Sequence, residues 1–246
     1  MALRRPKIRR PWLSRAEKQW LGDQEVSPSA ERNKVDIGKV LVEVAAKYKS
    51  DIGYETSRKL DVLEIASGTG QHAASASAAL SNFLGRGITV RWQPSDVTDD
   101  KFSSIAAWAG LGGVAENVRR ARVIDASSAE WGPALRQERE YDFLFCANCV
   151  HITPWDVAKG LVQGAAGVLS DGGLLCLYGP FAFDGVLSPE SNVEFDRWLR
   201  EKDPSFGIRD VADLRTEAEK HGLEIVEAIP MPANNHMLLI QKTPGR

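Results

Sequence analysis

Leu60-Asp-Val-Leu-Glu-Ile-Ala-Ser-Gly-Thr-Gly-Gln-His-Ala73 decides the fold. Its first half, Leu60 to Ala66, is short, aliphatic and closed by glycine turn chemistry, which reads as a buried strand. Gln71 to Leu84 is alanine-rich and built from good helix formers, so a helix follows the turn. Downstream the rhythm repeats. Ile88 to Gln93 reads as a second strand stopped by Pro94, and Thr98 to Trp108 as a helix opened by Ser95 or Asp96. Arg122 to Ile124 is a short third strand and Tyr141 to Ala147 a fourth, with Trp155 to Leu169 as the helix behind it. Leu174 to Tyr178 is a fifth, introduced by Asp171-Gly-Gly. Strands alternating with helices at this spacing predict a parallel sheet covered on both faces, an α/β three-layer sandwich. The end of the chain breaks the rhythm. After a helix over Val211 to His221, Leu223 to Ile229 and His236 to Gln241 are joined by a short Pro/Asn loop, so they must pair antiparallel. The expected sheet is mainly parallel and seven-stranded, with an antiparallel C-terminal strand. Upstream, Asn33 to Tyr48 carries Val35, Val40, Leu41, Val44 and Ala45 at helical spacing, an added helical layer.

The turn Glu64-Ile-Ala66-Ser67-Gly68-Thr-Gly70 lies between strand and helix. Glycine there lets the backbone approach a ligand, and the helix N-terminus beyond supplies unpaired N–H groups suited to a carboxylate. A dinucleotide fingerprint is the rival reading. It expects G-x-G-x-x-G, and Ala73 at the third position is tolerated, so the loop alone does not decide. Asp96 follows the second strand, where a carboxylate accepts hydrogen bonds from both hydroxyls of a ribose; helix capping is the alternative. Asp125 follows the third strand, and capping a turn is its alternative. Three acidic positions at successive strand ends, all on the carboxyl edge where open α/β sheets bind ligands, are more specific than any one.

This pattern resembles the class I (Rossmann-like) S-adenosylmethionine-dependent methyltransferases. The resemblance implies S-adenosylmethionine as cofactor, Glu64 as the acidic residue ending the first strand, Asp125 holding the adenine amino group and the Ala126 N–H meeting a ring nitrogen. Further phrases resemble one small family, methyltransferase-like protein 26 and its bacterial and fungal relatives. They include Ser29-Ala-Glu-Arg-Asn-Lys34, Trp92-Gln-Pro-Ser-Asp96, Tyr178-Gly-Pro-Phe181, Ser188-Pro-Glu-Ser-Asn-Val-Glu-Phe-Asp196, Phe206-Gly-Ile-Arg-Asp210 and Met231-Pro-Ala-Asn-Asn235. That resemblance implies a fold and a cofactor but no acceptor. Within these phrases Arg32 and Asn33 are candidates to fold over the cofactor and reach its methionine carboxylate, with helix capping as the alternative. His72 either reaches the cofactor or packs against Trp92.

Methyl transfer is an in-line displacement that needs alignment and exclusion of water, and a base only where the nucleophile carries a proton. The loop after the fourth strand offers Asn148, a ligand for substrate or cofactor, then His151, the candidate base, and Trp155. His151 bonding a backbone carbonyl is the alternative. A substrate lid is expected around residues 179–210, just beyond Tyr178. There Phe181, Phe183, Phe195 and Trp198 give aromatic surface, and Asn192, Glu194 and Asp196 give polar handles. Asn192 and Asp196 share one face if the segment is helical, and Asn192 is a candidate catalytic residue. Such a pocket suits a small organic amine or phenol, O- or N-methylated.

Composition narrows the partners. A formal net charge of −2 gives no bias toward nucleic acid or an anionic membrane, and no apolar run is long enough for a membrane span. Cys146, Cys149 and Cys176 sit inside apolar runs, implying buried thiols in a reducing, cytoplasmic setting; no second ligand pair supports zinc at Cys146-x-x-Cys149. Residues 1–26 read as a basic, flexible leader, and 27–246 as a single domain. A nucleic-acid role is disfavoured. Non-catalytic cofactor binding, or methylation of protein or RNA, stands as the alternative function.

Overall fold

The computed structural model describes residues 23–52, 59–128 and 130–243, so the basic leader up to residue 22 lies outside the described residues. The strands are β1 (Lys59–Ile65), β2 (Thr89–Asp96), β3 (Arg122–Val123), β4 (Tyr141–Ala147), β5 (Leu169–Gly179), β6 (Phe181–Ala182), β7 (Arg209–Asp210), β8 (Leu223–Met231) and β9 (Asn235–Lys242). Seven form one sheet in the order β3-β2-β1-β4-β5-β9-β8, while β6 and β7 pair separately. β1 to β5 are parallel; β9 runs antiparallel to both β5 and β8. This is the mixed α/β sheet that the strand and turn pattern predicts.

Alternate residues of the central strands feed two cores, as a doubly covered sheet requires. Val62, Trp92, Phe143, Phe145 and Cys176 point to one face, where helices α1 (Pro28–Lys47) and α3 (Gln71–Leu84) pack. Leu63, Leu144, Cys146 and Leu175 point to the other, beneath α5 (Trp131–Arg136), α6 (Trp155–Val168) and α8 (Val211–Lys220). The three cysteines are buried free thiols, and burial pushes the Cys176 thiol up to about 12. Helix α2 (Lys49–Ile52) and α4 (Phe102–Leu111) complete the sheet's surroundings, and α7 (Glu190–Lys202) lies between β6 and β7. No described helix is long and apolar enough to cross a membrane.

Several boundaries differ from expectation for identifiable reasons. β2 runs through Pro94 to Asp96. Around it Trp92 bonds outward to Asn117 and Arg119, while Ser95 bonds inward to Ser67. Pro94 therefore turns its missing N–H to the outer side, between that bridge and the start of β3, where no ladder bond is lost. α4 starts at Phe102 rather than Thr98, because residues 98–101 form a turn: Thr98 Oγ1 donates to Asp100 and Phe102 N donates to the Asp99 carbonyl. Neither Ser95 nor Asp96 caps it. β5 begins at Leu169, with Asp171-Gly172-Gly173 accommodated as an irregularity inside the strand rather than ahead of it. α1 begins five residues earlier than expected, with Ser27 Oγ accepting from Ala30 N (3.4 Å) and Pro28 in the first turn.

Candidate functional site

β1 ends at Ile65, and the chain turns through Ala66 (φ 57°), Gly68 (φ 52°) and Gly70 (φ 88°) before α3 begins. A non-glycine residue held at positive φ costs about 1–3 kcal/mol and concentrates at functional sites. The two glycines do different work. A Cβ on Gly68 meets nothing within 4 Å, whereas one on Gly70 lies 2.5 Å from Ile105 Cα. Gly70 is thus required by packing against α4 and does not line the cavity. Gly68 is an open cradle. Its N–H donates to Asp96 Oδ2 (2.7 Å), and Asp96 Oδ1 accepts from Val97 N (2.8 Å), fixing the carboxylate beside the loop. Each oxygen keeps a second lone pair for a ligand.

Glu64, expected at the site, is not in it. It is buried, and its Oε2 accepts the Trp92 indole N–H at 2.9 Å. Burial pushes its carboxyl up to about 7, against the lowering effect of Trp92 and Ser67. Asp125 Oδ1 accepts both the backbone N–H (2.9 Å) and the hydroxyl (2.6 Å) of Ser127, which hold its carboxyl below the usual range. It closes a turn, and it also lines the cavity with Ala126.

α1 is strapped onto the loop helix. Gln71 Oε1 accepts from Ser27 N (2.6 Å) and Gln71 Nε2 donates to Glu31 (2.7 Å). His72 Nε2 lies 2.8 Å from Asn33 Oδ1, which makes Nε2 the protonated nitrogen. The His72 ring meets Phe145 edge-on (5.8 Å, 83°) rather than Trp92, and burial lowers its pKa to about 4. Asn33 Oδ1 is therefore taken by His72, its side chain also bonds Tyr178, and Arg32 remains exposed at the cavity wall.

These elements surround one cavity of about 1340 Å³ over the carboxyl edge of β1, β2, β4 and β5. A pocket for one drug-sized ligand measures about 300–1,000 Å³, so two ligands fit side by side. Arg32, Asn33, Ala66, Ser67, Gly68 and His72 line one side, and Asp96, Asp125 and Ala126 the next. Asn148, His151, Tyr178, Asn192 and Phe195 line the remainder. Besides Glu64 and Gly70, five expected residues lie outside it: Trp155, Phe181, Phe183, Glu194 and Asp196. Phe181 is core, Trp155 sits under the Arg209 guanidinium (5.7 Å), and Asp196 is held by Arg200 Nε (2.7 Å) and Ile208 N (2.7 Å). Asp36 and the β8–β9 turn, Pro232–Asn235, also line the cavity and were not anticipated as site residues. The turn's position beside β5 on the carboxyl edge was the available signal, since an antiparallel terminal pair returns its hairpin there.

The loop after β4 starts with Asn148 (φ 53°), whose N–H donates to the Tyr178 carbonyl (2.9 Å). His151 follows in a 3-10 turn, Val150–Ile152, with its ring edge-on to Phe195 (5.7 Å, 64°). Its Nδ1 is buried without a partner, 3.4 Å from where a Gly179 Cβ would stand, and the residue lines the cavity. Burial, then the Arg209 charge, lowers its pKa to about 4, so the ring is neutral at physiological pH.

The family described as "Protein of unknown function (DUF938)" matches residues 24–242. The chain belongs to the DUF938 family. Among solved structures it is similar to an O-methyltransferase family protein from Burkholderia thailandensis, at 14% identity and a TM-score of 0.62, over 94% of this chain and 63% of that one. An O-methyltransferase family 2 protein from Planctomyces limnophilus, in complex with apigenin, matches at 16% identity and 0.61, over 89% and 66%. A candidate sarcosine dimethylglycine methyltransferase from Galdieria sulphuraria matches at 15% and 0.56, over 84% and 85%. The chain thus spans less than two thirds of the first two proteins. At these identities the likeness establishes the class I methyltransferase fold.

Proposed function

We propose that this DUF938 chain is an S-adenosylmethionine-dependent methyltransferase that acts on a small organic molecule. The observation that carries the reading is the joint between Gly68 and Asp96. An uncovered glycine at φ 52° is fastened by its N–H to a strand-end carboxylate, at the wall of a cavity large enough for cofactor and acceptor together. The residues present fit the group. The spare lone pairs of Asp96 suit the ribose hydroxyls, and Asp125 with the Ala126 N–H suits the adenine edge. Arg32 suits the methionine carboxylate, and the open cradle at Gly68 admits the chain between them. When bound, the cofactor supplies an electrophilic methyl group on a sulfonium.

The protein's part is then alignment and exclusion of water. Asn148 and Tyr178, held by their mutual backbone bond, form the floor between the two halves of the cavity. His151 presents a neutral Nε2 that accepts a hydrogen bond from the acceptor, and Asn192 presents an amide from α7. The insertion that carries α7 acts as the substrate lid. The wider resemblance to the methyltransferase-like protein 26 family agrees with this reading. The experiment is calorimetric titration with S-adenosylmethionine and S-adenosylhomocysteine, followed by a labelled-methyl screen over metabolites, peptides and RNA. Binding of both with transfer to a metabolite supports the reading. Binding with transfer only to peptide or RNA replaces the substrate, and absence of binding refutes the whole.

A further inference from the structure

The acceptor end of the cavity is aromatic where α7 and the His151 loop line it, and the one acid on its α1 side, Asp36, has Oδ1 paired with Lys39 Nζ (3.1 Å). Phe195, Trp198 and Asn192 come from α7, facing His151 and Ile152. The carboxylates that suit an amine in the sequence are not available here. Asp196 is spent on Arg200 and on the Ile208 N–H, and Glu194 is not part of the wall. The Asn192 amide nitrogen donates to the Ser188 carbonyl (3.1 Å), which turns Oδ1 to any ligand. Asn235 is fixed the same way, its nitrogen donating to the carbonyls of Pro232 and Ala233 (3.1 Å each). The wall therefore offers neutral amide-oxygen acceptors.

Behind the His151 loop stands a cation, Arg209, donating to the carbonyls of Val150 (2.9 Å), Thr153 (2.5 Å) and Ser205 (2.9 Å). Burial, then the Arg200 charge, lowers its pKa, and the Asp196 charge opposes them. Trp198 stacks on Phe195, one turn earlier in α7 (5.9 Å, 16°), and Lys202, one turn later, stands 5.5 Å over its ring. Phe195 and Lys202 are thus both already in contact with the indole ring. An ammonium entering here loses its hydration, finds no free carboxylate on α7 or the His151 loop, and meets an indole that already carries the Lys202 cation. A ring bearing a hydroxyl packs edge-on against Trp198 and Phe195, donates to His151 Nε2 or Asn192 Oδ1, and gains from Arg209 as its oxygen becomes anionic.

Resting on the methyltransferase reading, we infer that the acceptor is an uncharged planar ring compound with an ionisable hydroxyl, a phenol or enol, methylated on oxygen. The O–CH₃ bond forms as the S–CH₃ bond breaks. The sulfur leaves as a neutral thioether and the hydroxyl proton passes to solvent.

The test is calorimetry on the full chain loaded with S-adenosylhomocysteine, using 2-naphthol, 2-naphthylmethylamine and 2-naphthoate as matched probes. The naphthol should bind about tenfold or more tighter than the ammonium, because an unpaired buried charge is expensive. Asn192→Asp should narrow or invert that preference, and Trp198→Ala, at a half-exposed position, should weaken the naphthol without unfolding the chain. Preference for the ammonium or the carboxylate, or binding of none of the three, overturns the inference while leaving the cofactor reading intact. If S-adenosylhomocysteine itself does not bind, it is the methyltransferase reading that falls.

Discussion

Replacing each glycine of the β1–α3 turn with alanine separates architecture from binding. At Gly70 the new methyl carbon stands 2.5 Å from Ile105 Cα, a backbone atom that no rotamer change moves aside. Overpacking of that kind costs about 1–3 kcal/mol. The φ of 88° adds about 1–2 kcal/mol for a residue with a Cβ. The sum, roughly 2–5 kcal/mol, is a large part of a typical stability of about 5–15 kcal/mol. For a chain of this size it corresponds to a fall in Tm of roughly 4–20 °C. At Gly68 the φ of 52° lies in the left-handed region, and nothing stands within 4 Å. Gly68→Ala should cost only ~1 kcal/mol, about 2–4 °C. Its methyl group enters the cradle, so affinity for S-adenosylhomocysteine should fall by about tenfold or more, equivalent to about 1.4 kcal/mol. Thermal unfolding and calorimetry on the two variants read both effects. Equal destabilisation by the two, or full affinity retained by Gly68→Ala, would refute the division of labour.

Other perturbations read other parts of the site. Glu64 is ionised later in the folded chain than in the unfolded one, its carboxyl raised from 4.5 to about 7, so the unfolded state holds fewer protons between these values. Its contribution to stability therefore falls as pH rises from 4.5 to 7, by about 3 kcal/mol, and is flat above. Glu64→Gln keeps an acceptor for Trp92, and its stability relative to wild type should rise across that window in urea unfolding; the buried histidines, which act oppositely, cancel in the difference. A pH-independent difference would sink this account. The His151 ring, followed by NMR, should titrate near pH 4, and Arg209→Met should raise that midpoint yet leave it below 6.5, because burial is the larger cause. Asp96→Ala should weaken cofactor binding about tenfold or more, since the variant loses both the ribose contact and the anchor of the Gly68 N–H; unaltered calorimetric affinity would remove Asp96 from the site.

Much of the fold was legible because its signals are local. The apolar run to Ile65, the turn and the alanine-rich helix from Gln71 to Leu84 follow directly from residue type, and that helix has the boundaries expected. Pro94 misled because its effect depends on which neighbour its nitrogen faces, a property of sheet order that no single strand reveals. The same limit governs the site. Asp96, Asp125 and Asn148 were legible because strand ends share one edge of the sheet. Glu64 and Phe181 were misassigned because adjacent residues at a strand end point to opposite places, one into the core and one into the cleft. Asp196 shares a helix with Asn192, but Arg200 and the Ile208 N–H, at the far side of the insertion, hold it away. Asp36 enters through a tertiary contact alone, whereas the β8–β9 turn follows from the antiparallel terminal pair.

Whether this chain holds S-adenosylmethionine is decided by calorimetric titration of the wild-type protein. Saturable binding at one molecule per chain, weakened in parallel by Gly68→Ala and Asp96→Ala, is the predicted result. No heat with S-adenosylmethionine or S-adenosylhomocysteine, or binding of a nicotinamide dinucleotide in their place, would contradict it.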